Sequence, residues 1–67
     1  MTINRLGLAI KERRKQLGIT QPHLAELAGV SINTLYKLER GQGNPSLEVI
    51  GKIAEVLGFE IKFEILK

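Results

Sequence analysis

Asn33 and Lys37 lie in the segment SINTLYKLER, residues 31–40, away from its apolar positions Leu35 and Leu38. An asparagine amide can pair bidentately with adenine, and a lysine ammonium can donate to O6 and N7 of guanine. Ile32 can pack on a thymine methyl, although a half-buried staple at a helix start is the duller use of it. These are groups for binding, not for making or breaking bonds. Polar residues are ordinary on an exposed helix, so their chemistry depends on how the segment is held.

Groups suited to catalysis are scarce. His23 is the single histidine, the chain has no cysteine and no aspartate, and its seven glutamates are scattered over helix surfaces and the tail. No nucleophile with a base, no glycine loop for phosphate and no metal-ligating cluster can be picked out. The expectation is a protein without catalytic residues, cofactor or metal. His23 reads as a solvated residue in the first turn of a helix.

Residues 20–41 contain the elements that would position Asn33 and Lys37. Thr20 is a side-chain cap, and Pro22 falls in the first helical turn, where its missing N–H costs nothing. Leu24, Ala25, Leu27 and Ala28 recur at helical spacing up to Gly29, which can adopt the left-handed conformation that ends a helix. Ser31 caps a second helix with Leu35 and Leu38 as its apolar face, leaving Ile32, Asn33, Tyr36 and Lys37 directed elsewhere. Small Ala25 allows a close, steep crossing. The layout is a helix-turn-helix, whose second helix suits the DNA major groove.

Two further helices complete the domain. The first is expected from a cap at Asn4 to Leu17, with Leu6, Ile10 and Leu17 on one stripe. The helix-turn-helix pair spans about 21–28 and 32–40. After the loop GQGNP, Ser46 caps a fourth helix that buries Leu47, Ile50, Ile53, Ala54 and Leu57 and closes at Gly58. Sixty-seven residues allow one modest core, and without cysteine it must rely on packing. The N-terminus has no long apolar run, so neither a signal peptide nor a membrane span is expected, and the lack of cysteine fits a cytoplasmic protein.

The net charge of +3 is unevenly spread: residues 1–45 hold seven of the ten basic residues and three of the seven acids. Arg5, Lys11, Arg13, Arg14 and Lys15 crowd the first helix, while Lys37 and Arg40 lie on the third. A basic front half suits phosphate contact. Lys11 and Lys15 are better read as a solvated surface.

After Gly58 the period falls to two: Phe59, Ile61, Phe63 and Ile65 alternate with Glu60, Lys62 and Glu64. The pattern predicts a C-terminal strand over 59–65, with a helical extension or frayed tail as the alternative. No other segment offers a convincing partner strand, so pairing across a two-fold with a second copy is expected. Residues 1–58 then form the DNA-binding domain and 59–67 the dimerisation segment, with Phe59, Ile61, Phe63 and Ile65 on its apolar face. A two-fold at Lys62 would set like charges opposite one another, whereas one at Ile61 or Phe63 pairs lysine with glutamate.

The run Thr20-Gln21, Leu24 to Ser31, Leu38 to Gly41, Pro45 to Glu48, Ile53-Ala54 and Leu57-Gly58 resembles the Cro/phage-repressor (XRE) family. That resemblance implies a lambda-repressor-like four-helix DNA-binding domain, mainly α. Its partners would be a palindromic double-stranded operator and a second copy, and repression its role. A strand in place of the family's usual fifth helix is similar to HipB-like regulators, antitoxins and autorepressors that partner HipA-type toxin kinases. A module acting mainly as a toxin inhibitor is the alternative function.

Residue by residue, the resemblance gives Gln21 a phosphate contact and a role bracing the recognition helix. It directs Ile32, Asn33 and Lys37 into the major groove. Ser31, Thr34, Arg40 and Asn44 would hold the DNA backbone, while Arg14, paired with Glu39, would sit near a phosphate. The plainer readings are helix caps for Thr20, Ser31 and Ser46, and for Arg14 and Glu39 a surface ion pair worth at most about 1 kcal/mol. Tyr36 is bulkier than the family's common choice, and phosphate contact and surface packing both stay open for it.

Overall fold

A computed structural model describes residues 2–62, 64 and 65. Thr2 opens the first helix, α1 (Ile3–Gln16), its Oγ1 accepting the Arg5 amide at 3.2 Å. Asn4, the expected cap, lies one residue inside the helix, with its side chain set against Gly41. At the other end Leu17 is the C-cap, not a stripe residue, and is 43% exposed.

The helix-turn-helix forms as the pattern predicts. α2 (Gln21–Ala28) is capped by Thr20 Oγ1, which accepts the His23 amide at 3.2 Å, and Pro22 lies in its first turn. Gly29 ends it at φ +69°, in the left-handed region that favours glycine. Val30 N–H then donates back to Ala25 C=O at 3.0 Å, tightening the turn. Ser31 Oγ accepts the Thr34 amide at 3.0 Å and starts α3 (Ile32–Glu39), with Arg40 as its cap and not its last residue.

α4 (Leu47–Leu57) begins at Ser46, whose Oγ accepts the Val49 amide at 3.1 Å. Its buried stripe is narrower than expected: Ile53, Ala54 and Leu57 are buried, Ile50 is half-buried and Leu47 is 58% exposed. Leu47 and Ile50 face a groove between α1, α4 and the tail, where this chain alone supplies no cover.

The core is a single cluster in which Ile10, Leu24, Leu35, Leu38, Ile53 and Leu57 are each 2% exposed or less. α1 packs on α3 and α4, and α2 packs on the same two helices. Gly7 permits the closest approach, because a Cβ there would collide with the carbonyl oxygen of Leu38. This packing fixes the angle at which α3 is presented.

The predicted C-terminal strand is not formed: among the described residues there is no strand, and the architecture is four α-helices. A strand exists by its ladder of hydrogen bonds, and this chain brings no second segment alongside. Phe59 N–H donates to Ala54 C=O at 2.8 Å, carrying the chain off α4 through the Gly58 turn. Lys62 Nζ lies 3.8 Å from Glu60 Oε2, so these alternating charges share a side. Phe59 and Ile61 are 39% and 42% exposed beside the groove, and Ile65 is 92% exposed. Phe63 lies outside the described residues.

Candidate nucleic-acid interface

α3 turns Leu35 and Leu38 fully into the core, which leaves its opposite face outward by helical geometry. Ile32, Asn33, Tyr36 and Lys37 are exposed there, with Ile32 at 48%; it is not a half-buried staple. Asn33 and Lys37 lie one turn apart. Thr34 is half-buried, and its hydroxyl accepts from Ser31 Oγ at 2.8 Å. Ser31 therefore works as the α3 cap through its lone pairs while donating its own hydrogen to Thr34.

The loop after α3 comes back beside this face. Thr34, Lys37, Gln42, Asn44 and Ser46 line a cavity of about 330 Å³ between α3 and the start of α4. Asn44 is exposed at its rim. Three of the anticipated residues, Thr34, Lys37 and Asn44, are thus gathered in one place.

Behind the face lies a buried ionic clamp. Glu39 is 8% exposed, and its carboxylate accepts Arg14 Nε at 2.8 Å and Arg14 Nη2 at 2.9 Å. Gln21 Nε2 donates to the same carboxylate at 3.1 Å, and Arg14 Nη1 donates to Ile19 C=O at 2.9 Å. Because a carboxylate only accepts, the Gln21 amide must present its NH₂ here. α1, α2 and α3 are tied at one point. The hydrogen bonds that Arg14 donates to Glu39, against the opposing effect of burial and with the added pull of the carboxylate charge, raise the Arg14 pKa above the usual arginine value.

The clamp corrects the surface-pair reading of Arg14 and Glu39, whose side chains are only 11% and 2% exposed. Arg14 spends three donors within the protein. Arg13 is likewise occupied: its Nε donates to Leu57 C=O at 2.9 Å, tying α1 to the end of α4. This role was missed in the sequence, yet Arg13 and Arg14 fall three and four residues after buried Ile10, on its side of the helix. His23 is exposed in the first turn of α2.

A short capped helix with a polar outer face, crossing a second helix at a glycine turn, defines a helix-turn-helix DNA-binding domain. The helix-turn-helix family model matches residues 10–63, and the chain belongs to this Cro/phage-repressor (XRE) type of helix-turn-helix regulator. A protein of Methanothermobacter thermautotrophicus, named an uncharacterized HTH-type transcriptional regulator, is 49% identical over 51 residues, covering 76% of this chain and 74% of its own. A likewise named protein of Archaeoglobus fulgidus is 43% identical over 53 residues, covering 79% and 76%. A longer relative from Methanococcus vannielii is 47% identical over 55 residues, which are 82% of this chain and 17% of its own. No helix among the described residues is long and apolar enough to cross a membrane.

Proposed function

We propose that this protein is a homodimeric, sequence-specific regulator of transcription, acting as a repressor in the cytoplasm on a palindromic operator. The observation that carries this reading is the exposed Ile32–Asn33–Lys37 face of α3, braced from behind by the Arg14–Glu39–Gln21 clamp. In this reading Asn33 and Lys37 hydrogen-bond base edges and Ile32 packs on a thymine methyl. Gln21, Ser31, Thr34, Arg40 and Asn44 hold the sugar–phosphate backbone, while Arg14 acts through Glu39 to fix α3 near a phosphate. No catalytic step, cofactor or metal enters.

Two such domains related by a two-fold would place their recognition helices about 34 Å apart, in successive major grooves. The test is selection of duplexes from a random library, followed by titration of variants on the selected site. Asn33→Ala and Lys37→Ala should each cost about 1–3 kcal/mol and relax preference at one base pair. Gln21→Ala should weaken all sequences alike. Unchanged affinity in both Asn33→Ala and Lys37→Ala would refute the assignment.

The dimer is assigned to the tail. An apolar groove of about 820 Å³, lined by Ile3, Leu6, Leu47 and Ile50 beside Phe59 and Ile61, is left uncovered in the single chain. Its occupant in this reading is the same segment of a second copy, because the tail charges complement themselves. With the two-fold at Ile61, Glu60 meets Lys62 of the partner subunit; at Phe63, Lys62 meets Glu64 of the partner subunit. The segment 59–65 would then pair with its mate as an antiparallel ribbon over both domains. A second reading, supported only by the alternating pattern of Phe59 to Ile65, is a HipB-like antitoxin repressing its own operon and holding a HipA-like toxin kinase. Co-purification with a kinase encoded beside it would decide that role.

A further inference from the structure

We infer that Tyr36 is a positioning residue for Arg40, holding its guanidinium ready on the outer face of α3 for a phosphate of the bound duplex. The guanidinium carbon of Arg40 lies over the Tyr36 ring, 5.1 Å from its centroid. A cation at that distance is drawn to the face of the ring. Tyr36 lies outside the core, at 46% exposure.

Two further observations give the pair a direction. Among the described residues no carboxylate lies within ion-pair distance of Arg40, as for several other basic side chains, so no ion pair seen there competes with an anion. The Arg40 backbone is also fixed: its N–H donates to Lys37 C=O at 3.1 Å, between buried Glu39 and the Gly41 turn packed on Asn4. A guanidinium held over a ring keeps N–H donors that can still be given to an anion. Pre-ordering this long side chain lowers the entropy lost when it grips a phosphate. Such a contact reads no sequence, so it must act on every duplex alike.

The inference rests on α3 being the recognition helix, and the experiment separates the two. Tyr36→Ala, Tyr36→Phe, Arg40→Ala and the double variant Tyr36→Ala/Arg40→Ala are titrated by fluorescence anisotropy. The probes are a duplex selected from a random library and an unrelated duplex of equal length, and thermal melts are recorded alongside. Tyr36→Ala should weaken both duplexes about two- to five-fold. Tyr36→Phe should bind like the parent, and in the Arg40→Ala background the tyrosine change should have no further effect, with melting unaltered throughout. Parental affinity in Tyr36→Ala, a loss that persists without Arg40, or an equal loss in Tyr36→Phe would each overturn it. If Asn33→Ala and Lys37→Ala also bind like the parent, the recognition-helix reading falls with it; if those two variants lose specific binding, only the Tyr36 inference falls.

Discussion

At the scale of single residues, the least replaceable polar group is Glu39. Its carboxylate is out of water and satisfied by three donors, so removing either charged partner strands the other. Arg14→Ala and Glu39→Ala should each cost about 3–5 kcal/mol in urea unfolding. A paired apolar replacement, Arg14→Met with Glu39→Leu, should recover much of that loss while freeing Gln21 from its anchor. The pairing itself was legible, because it follows from the resemblance. Its burial was not, since a charge on a helix reads as solvated until the neighbouring helix is placed over it. What did mark Arg13 and Arg14 was their phase with Ile10.

At the scale of elements, all four helices could be read from caps, glycines and periodicity, with boundaries within about two residues. The errors have local causes. Thr2 competes with Asn4 for the same cap, and Asn4 is drawn to the Gly41 turn instead. Gly7 carried no readable signal, because a glycine inside a helix looks only like a weak point. Its purpose appears when α1 meets α3. Gly7→Ala should therefore destabilise by roughly 1–3 kcal/mol, overriding the helix propensity gained, because the Leu38 carbonyl cannot move aside. Gly51, in α4, has open space where a Cβ would go, and Gly51→Ala should stabilise by about 0.5–1 kcal/mol. Opposite signs in paired denaturant titrations check the packing.

At the scale of the whole molecule, period-two alternation predicted a strand that the described residues do not form, because no second segment lies alongside it. Whether a partner strand exists is not local information. The sequence showed which side is apolar, and the single chain leaves that side open beside Leu47 and Ile50. Ile61→Glu should shift the protein to a monomer in sedimentation while leaving its helical circular dichroism intact. Leu8→Glu, changing an apolar residue that is 54% exposed and away from the groove, should remain dimeric. Dissociation by both variants alike, or by neither, would remove the tail from the interface.

The clamp points inward and the reading face outward from the same two-turn helix. Leu35, Leu38 and Glu39 of α3 are buried, while Ile32, Asn33 and Lys37 are exposed. In the proposed reading, stability and target choice therefore fall to different residues of one helix. Such a helix would be a changeable key on a constant bow, its three outer residues open to exchange one at a time without loss of the fold.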